Sequence, residues 1–266
     1  MSLLFLGYIL TGLCAGLLSG LLGLGGGIVI VPALIALFSM QSFPHEHLMH
    51  IATGTSLATI LITSFMTTWV QSKRKAVQWS VLKWLIPGTV LGALCGTVIG
   101  NYLPGHLLKT TFAFFCLLLG GKMLLGRAQL IAKPERKLPL ALAVLFAWLI
   151  GTCAGLLGIG GGVLVIPFLL WYGLEMPAVS ATSAASTLPT ATSGALTAMV
   201  VGWHISGLPS GSLGYVYWPA ALCIGLASLI AAPMGVLLVH RLPVLLVKRI
   251  FGGILLIVAW TMMPSF

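Results

Sequence analysis

Eight apolar stretches follow one another along the chain, over roughly 3–39, 50–71, 80–103, 107–126, 138–172, 177–202, 214–239 and 243–263. About twenty such residues are what an α-helix needs to cross the ~30 Å hydrocarbon core of a bilayer. Inside that core every backbone N–H and C=O must find a partner within the chain, which favours helices for segments of this kind. The breaks are short: SFPHEH at 42–47, QSKRKAVQ at 71–78, LPGH at 103–106, GRAQLIAKPERK at 126–137, EMP at 175–177, HISGLPSGS at 204–212 and HRLP at 240–243. None has room for a separate soluble domain. The sequence therefore predicts an all-α integral membrane protein, one multi-pass domain over 1–266, with the lipid bilayer as its solvent. Charge agrees: only 6% of residues are charged, against about a quarter in soluble domains.

Thirteen Lys and Arg face three Glu, and no Asp occurs. The basic residues sit between apolar runs, where anionic lipid and topology account for them, and nucleic acid is not expected as a partner. The start, MSLLFLGYILTG, has no basic residue before its apolar run and reads as a first membrane segment, not a removable signal. Five cysteines are scattered through apolar segments without a CxxC pair. No metal site, cofactor or catalytic constellation is expected, and the chain is not read as an enzyme.

The chain repeats itself. GLLGLGGGIVIVP, from Gly20 to Pro32, returns as GLLGIGGGVLVIP, from Gly155 to Pro167. Thr55-Ser56 returns as Thr182-Ser183, Val77-x-Trp79 as Val216-x-Trp218, Leu103-Pro104 as Leu242-Pro243, and Lys109-x-x-Phe112 as Lys248-x-x-Phe251. An ordered series of this kind predicts two repeats, about 1–127 and 138–266, joined by a basic linker at 127–137. Short basic loops stay cytoplasmic. Placing Lys73-Arg74-Lys75, the linker (Arg127, Lys133, Arg136, Lys137) and the last cluster (Arg241, Lys248, Arg249) on that one side puts corresponding loops of the repeats on opposite faces. That is an inverted repeat. With the last cluster outside, the same repeats would be parallel, with eight plain crossings.

The inverted reading requires 3–39 and 138–172 each to pass the membrane an even number of times. As one helix each would measure ~52 Å against a ~30 Å core. Each is thus expected to be a helical hairpin tipped by glycine, at Gly23–Gly27 and Gly158–Gly162, and the sequence leaves open whether it spans or re-enters. Glycine permits positive φ and close backbone approach. The runs after the tips would open helices whose free N–H groups attract an anion. The competing reading is that these glycines only allow tight helix packing. Small-hydroxyl clusters lie around each hairpin, with Thr55 and Ser56 in one and Thr182 and Ser183 in the other. Hydroxyls can donate to an oxyanion without a buried charge, or bond back to their own helix. His50 and His204 stand at segment borders, where solvation is the expected state and proton coupling the minority one. Trp69, Trp79, Trp84, Trp203, Trp218 and Tyr217 read as an interfacial aromatic belt.

With these residues in view, the doubled glycine motif, each copy followed by a Thr-Ser pair, resembles the TauE/SafE family of sulfite exporters. The V-x-W elements, the P-G-x-x-x-G of Pro87, Gly88 and Gly92, and the L-P elements extend the resemblance over nearly the whole chain. The resemblance implies inner-membrane transport, by export, of sulfite, an organosulfonate or a related small sulfur oxyanion. It implies a substrate region at Gly25, Gly26, Gly27, Thr55, Ser56, Gly160, Gly161, Gly162, Thr182 and Ser183. Ser183 is followed by Ala184-Ala185 where the first copy has Leu57, and Pro189 interrupts the second helix, so equal roles for the two hydroxyl pairs are in doubt. The expectation is an alternating-access carrier with a midplane site. The alternatives are an anion channel, a transporter of another small anion or metabolite, and a membrane scaffold. Homo-oligomerisation is left open.

Overall fold

A computed structural model describes residues 2–41, 43–125, 139–238 and 244–263, and for residues 2, 3, 176, 244–248, 250 and 251 the backbone alone. The linker expected at 127–137 and Arg241 lie outside the described residues, as does the side chain of Lys248. Ten helices are described: α1 (Ser2–Leu22), α2 (Gly27–Met40), α3 (Leu48–Lys73), α4 (Trp79–Tyr102), α5 (Gly105–Leu125), α6 (Leu140–Leu157), α7 (Gly162–Tyr172), α8 (Met176–Val201), α9 (Trp218–Leu238) and α10 (Val244–Met262). Six of them, α1, α3, α4, α5, α6 and α9, contain segments long and apolar enough to cross a membrane. The chain is an α-helical integral membrane protein.

Both 35-residue stretches break at their glycines, as their length requires. The second arms are short: α2 has 14 residues and α7 has 11, or about 21 and 16 Å at 1.5 Å per residue. Neither reaches across a ~30 Å core. Each hairpin is a long arm followed by a short return.

Glycine stripes decide which long helices meet. Gly12, Gly16 and Gly20 of α1 lie on one helical face and press against the carbonyls of Ile224, Ser228 and Ala232 in α9. Gly88, Gly92 and Gly96 of α4 press likewise against Val144, Trp148 and Thr152 in α6. Lipid tails are as apolar as leucine, so close backbone approach, not exclusion of water, drives association here. In both pairs the numbers rise together, so the helices run parallel. The equivalent helices α3 and α8 instead run antiparallel. Gly54 lies beside Ala198, Leu57 beside Gly194, and Gln71 Nε2 donates to Ser180 Oγ at 3.4 Å. In α5 and α10, Gly120 packs on Leu255 and Leu124 on Gly252, again antiparallel. The pairing exchanges halves: α1 packs on α9 while α6 packs on α4, and α9 flanks α3 while α4 flanks α8.

Helix α3 is buried along most of its length, and of the nine Ser and Thr of its counterpart α8 seven are buried. The outer helices turn Leu118, Leu226, Ile230 and Trp260 outward, where lipid receives them. One element departs from the all-helical expectation. Where the Gly/Ser-rich break passes into the next apolar stretch the chain forms a two-stranded hairpin, β1 (Ser212–Leu213) with β2 (Val216–Tyr217), antiparallel around Gly214 at φ 55°. It carries Tyr217 into the protein, edge-on to Phe38 and Phe43 at 5.7 and 5.2 Å. Tyr217 is therefore a packing residue and not part of a lipid-facing belt, whereas Trp69, Trp79 and Trp203 are exposed.

A methyl group at Gly92 would collide with the Trp148 carbonyl, while Gly121, on α5, has open space around it. Gly92→Ala is expected to destabilise the protein by about 1–3 kcal/mol, since backbone cannot yield as a side chain can. Gly121→Ala should leave it unchanged or gain a few tenths from helix propensity. Thermal melting in detergent, variant against parent, checks both.

Candidate functional site

The two glycine tips have the same backbone. Gly23, Gly25 and Gly26 stand at φ 72°, 75° and 80°, and Gly158, Gly160 and Gly161 at 69°, 69° and 85°. Three left-handed residues within four positions reverse the chain between helices, a conformation that costs other L-residues roughly 1–2 kcal/mol each. These glycines serve the turn, and they serve packing as well: a methyl on Gly23 would lie 2.3 Å from the Ser180 carbonyl and one on Gly158 2.7 Å from Thr53 Cα. Gly26 accepts the first helical bonds of α2 from Val29 and Ile30, and Gly161 those of α7 from Leu164 and Val165. The amides ahead of those donors have no intrahelical acceptor, as at any helix start.

The tips meet. A methyl built on Gly27 would lie 2.7 Å from Ile159 Cα, and one on Gly162 would lie 2.7 Å from the Gly23 carbonyl. Gly25 and Gly160 both rest on the same two side chains, Ile60 and Thr187. Those residues stand at the midpoints of α3 and α8, the two 26-residue helices. Gly25, Gly27, Gly160 and Gly162 are thus brought together at one junction, whereas Gly26 lies against Ala15 and Gly161 against Ala154 and Thr190.

The predicted hydroxyls frame that junction, each pair differently. Ser56 Oγ donates across to the Gly158 carbonyl at 2.8 Å. Ser183 Oγ faces the Gly23 carbonyl at 3.1 Å and the Gly162 carbonyl at 3.0 Å. Each serine thereby serves the tip of the opposite half. Thr55 Oγ1 accepts from the Tyr217 amide at 3.0 Å, and Thr182 Oγ1 from the Gln78 amide at 3.0 Å. Thr55 thereby holds the segment that leads into α9 and Thr182 the one that leads into α4, and each keeps its own proton to donate. All four side chains are fully buried. Thr59, Thr63, Thr187 and Thr190 bond back to their own helices, and Thr63 also meets Ser228 Oγ of α9. The backbone-bonding reading holds for them. Ile60 was not legible as a site residue, because an isoleucine in an apolar helix carries no distinguishing signal.

A small cavity, about 20 Å³, adjoins the second tip. Gly155 of α6 forms part of its wall, as does Thr53, which packs against Gly158. His50, Asn101 and Tyr215 supply its polar surface. Tyr215 hydroxyl donates to Asn101 Oδ1 at 3.1 Å, and burial pushes its phenol above the usual range. His50 is buried and not solvated, which corrects the reading from sequence; His204 is exposed.

A family model described as Sulfite exporter TauE/SafE matches residues 8–262. The chain belongs to the TauE/SafE family. A probable membrane transporter protein of Haemophilus influenzae is 34% identical over 255 residues, covering 96% of each chain. One from Methanocaldococcus jannaschii is 27% identical, covering 85% of this chain and 80% of its own. YunE of Bacillus subtilis, also described as a probable membrane transporter protein, is 28% identical over 75% of this chain and 80% of its own. No solved structure matches. This TauE/SafE protein is a membrane transport protein, and its doubled glycine motif forms the paired tips.

Space around the two tips differs. A methyl at Gly161 would meet Ala154 and Thr190 at an ordinary 3.5 Å, but one at Gly26 would stand 2.9 Å from the Ala15 carbonyl. Gly161→Ala should cost only the left-handed strain, about 1–2 kcal/mol. Gly26→Ala adds a backbone collision and should lower the melting temperature further. Equal losses would contradict this account of the tips.

Proposed function

We propose that the junction of the two glycine tips is the substrate site of an alternating-access carrier, and that its guest is sulfite, an organosulfonate or a related small sulfur oxyanion. The observation that carries the proposal is the meeting of the tips at the midpoints of α3 and α8. A helix of 26 residues that crosses a bilayer has its midpoint near the bilayer centre. There Gly27 lies against Gly158 and Ile159, and Gly162 against Gly23 and Leu24, so that two helix starts converge. Their amides and partial positive charge suit an anion, with no buried cation to desolvate.

In the proposed cycle Ser56 and Ser183 hold the tip carbonyls, so that the amides point toward the guest. As one tip withdraws, the serine of the opposite half is freed to donate to an oxyanion instead. Thr55 and Thr182 fix the neighbouring segments and supply a second hydroxyl on each side. Close packing of the junction in this conformation fits an occluded carrier better than a continuously open pore.

The reading takes the halves as inverted repeats. The antiparallel crossings of α3 with α8 and of α5 with α10 support it, because copies related by an axis along the membrane normal would run parallel there. Charge supports it too. Helix α9 runs parallel to α3, with Tyr217 at Thr55 and Gly225 at Ile62, so Leu238 lies toward the same end as exposed Lys73, Arg74 and Lys75. By the positive-inside rule that end is cytoplasmic. An anion leaving a negative-inside cell gains ~2.3 kcal/mol per charge per 100 mV, which favours export across the inner membrane.

The test is flux in proteoliposomes with sulfite, thiosulfate, sulfate and isethionate, under an imposed potential. Saturable movement and counter-exchange of at least one sulfur anion is expected. Unitary currents without exchange would mean a channel, and no movement of any of the four would defeat the substrate class.

A further inference from the structure

The two halves match closely up to the glycine tips and then part. Aligned on the Thr55-Ser56 and Thr182-Ser183 pairs, Thr53 answers to Ser180 and Gln71 to Ala198. The first correspondence holds in space. Thr53 packs on Gly158, the first residue of the second tip, and Ser180 packs on Gly23, the first residue of the first tip. The second correspondence pairs unlike residues. Ala198 is a methyl group on the wall of the small cavity beside Gly158, which His50, Asn101 and Tyr215 also line. Gln71, in the equivalent place of the other half, is a full-length amide that is 6% exposed.

Gln71 is attached to the tip contact itself. Its Nε2 donates to Ser180 Oγ at 3.4 Å, and Ser180 is the residue seated on Gly23. Its backbone is held separately, since its carbonyl accepts from the Arg74 amide at 3.1 Å, so the side chain can swing without unwinding the end of α3. A single bond of that length is weak, as suits a closure that must open in every cycle. The amide is also uncharged, so it covers a route for anions without capturing them as a lysine would or repelling them as a carboxylate would. The two ends face opposite sides of the membrane. Gln71 stands two residues before Lys73, at the end read above as cytoplasmic, whereas the cavity with His50 lies at the other end of α3.

We propose that Gln71 is the cytoplasmic gate of this carrier: bound to Ser180 it closes the way from the first tip to the cytoplasm, while the alanine at 198 leaves the slack on the outer side. The proposal rests on the anion-carrier reading of the glycine tips and on the inverted halves. The conformation described is closed inside and biased outward. An anion entering from the cytoplasm displaces Gln71 from Ser180, and it leaves past the cavity at the second tip. No coupling ion takes part, so the gate is compatible with export driven by the membrane potential. A side chain that stabilises one of two states lowers the population of the other, so removing it must trade access at one face for access at the other.

The experiment reads access to the junction from each face. Thr187, which touches Gly25 and Gly160, is replaced by cysteine in a full chain whose five native cysteines are alanine. A membrane-impermeant anionic methanethiosulfonate is then added to inside-out or right-side-out membrane vesicles. With Gln71 in place, labelling should be about fivefold or more faster from the outer face. Gln71→Ala should raise the cytoplasmic rate about tenfold and lower the outer one. Ala198→Gln should slow outer labelling about threefold. A cytoplasmic rate that already equals or exceeds the outer rate with Gln71 in place overturns the gate, as does an unchanged cytoplasmic rate in Gln71→Ala. A rise at both faces overturns it too, because that marks Gln71 as a packing residue. Should Gln71→Ala not fold, Ser180→Ala keeps the glutamine and removes its acceptor, and no rise in its cytoplasmic rate overturns the gate. Flux of the wild type reports separately on the carrier: movement of a sulfur anion with a failed gate leaves the carrier reading standing, and no movement of any of the four removes both.

Discussion

Backbone polar groups inside a bilayer must be satisfied by protein, and two reversals of chain at the heart of this molecule are where that demand is hardest to meet. Each glycine tip interrupts a helix and leaves carbonyls and amides without their usual partners. The carbonyl half of the problem is answered by Ser56 and Ser183, each reaching into the opposite tip. The amides at the starts of α2 and α7 are the other half. On the proposed reading those amides are where an anion binds, and the packing of the long helices holds the two tips against each other.

The holding is done by backbone contact. Glycine stripes on α1 and α4 bring whole helices of one half onto the other half, so neither tip is carried by its own repeat alone. The Tyr217–Thr55 and Gln78–Thr182 bonds then tie the start of each long helix to the hydroxyl pair near the junction. Movement of α1 with α9 against α3 and α8 would change one tip contact while leaving its counterpart, borne by α4 with α6, in place. That is the kind of bistable element that alternating access requires.

Much of this was legible in the sequence, for physical reasons. The apolar stretches gave their solvent away by length, and the stretches of 35 residues had to fold back because no single helix of that length fits the core. Tandem glycines at the centre of such a stretch suited a reversal, although tight helix packing by the same glycines remained the competing reading. The hydroxyl pairs were visible as pairs, but whether a serine serves its own helix, a neighbouring carbonyl or a guest depends on what lies across from it. Nothing local distinguishes Ser56, which reaches the other tip, from Thr59, which bonds back. The glycine stripes were only partly read, since their partners on α6 and α9 come from the other half of the chain. The β1–β2 hairpin was missed because two strands of two residues each, at the edge of a Gly/Ser-rich break, have no measurable alternation. His50 looked like an interfacial histidine until the end of α4 and Tyr215 were seen to close over it.

The central claim is that the two helix starts at the tips bind an anion together. An experimental density map of the protein in lipid nanodiscs with a carried sulfur anion, compared with one recorded without it, tests this most directly. The account predicts anion density between Gly25–Gly27 and Gly160–Gly162, about 3 Å from the amides that open α2 and α7. Anion density elsewhere, with the tips still closed on one another, would contradict it.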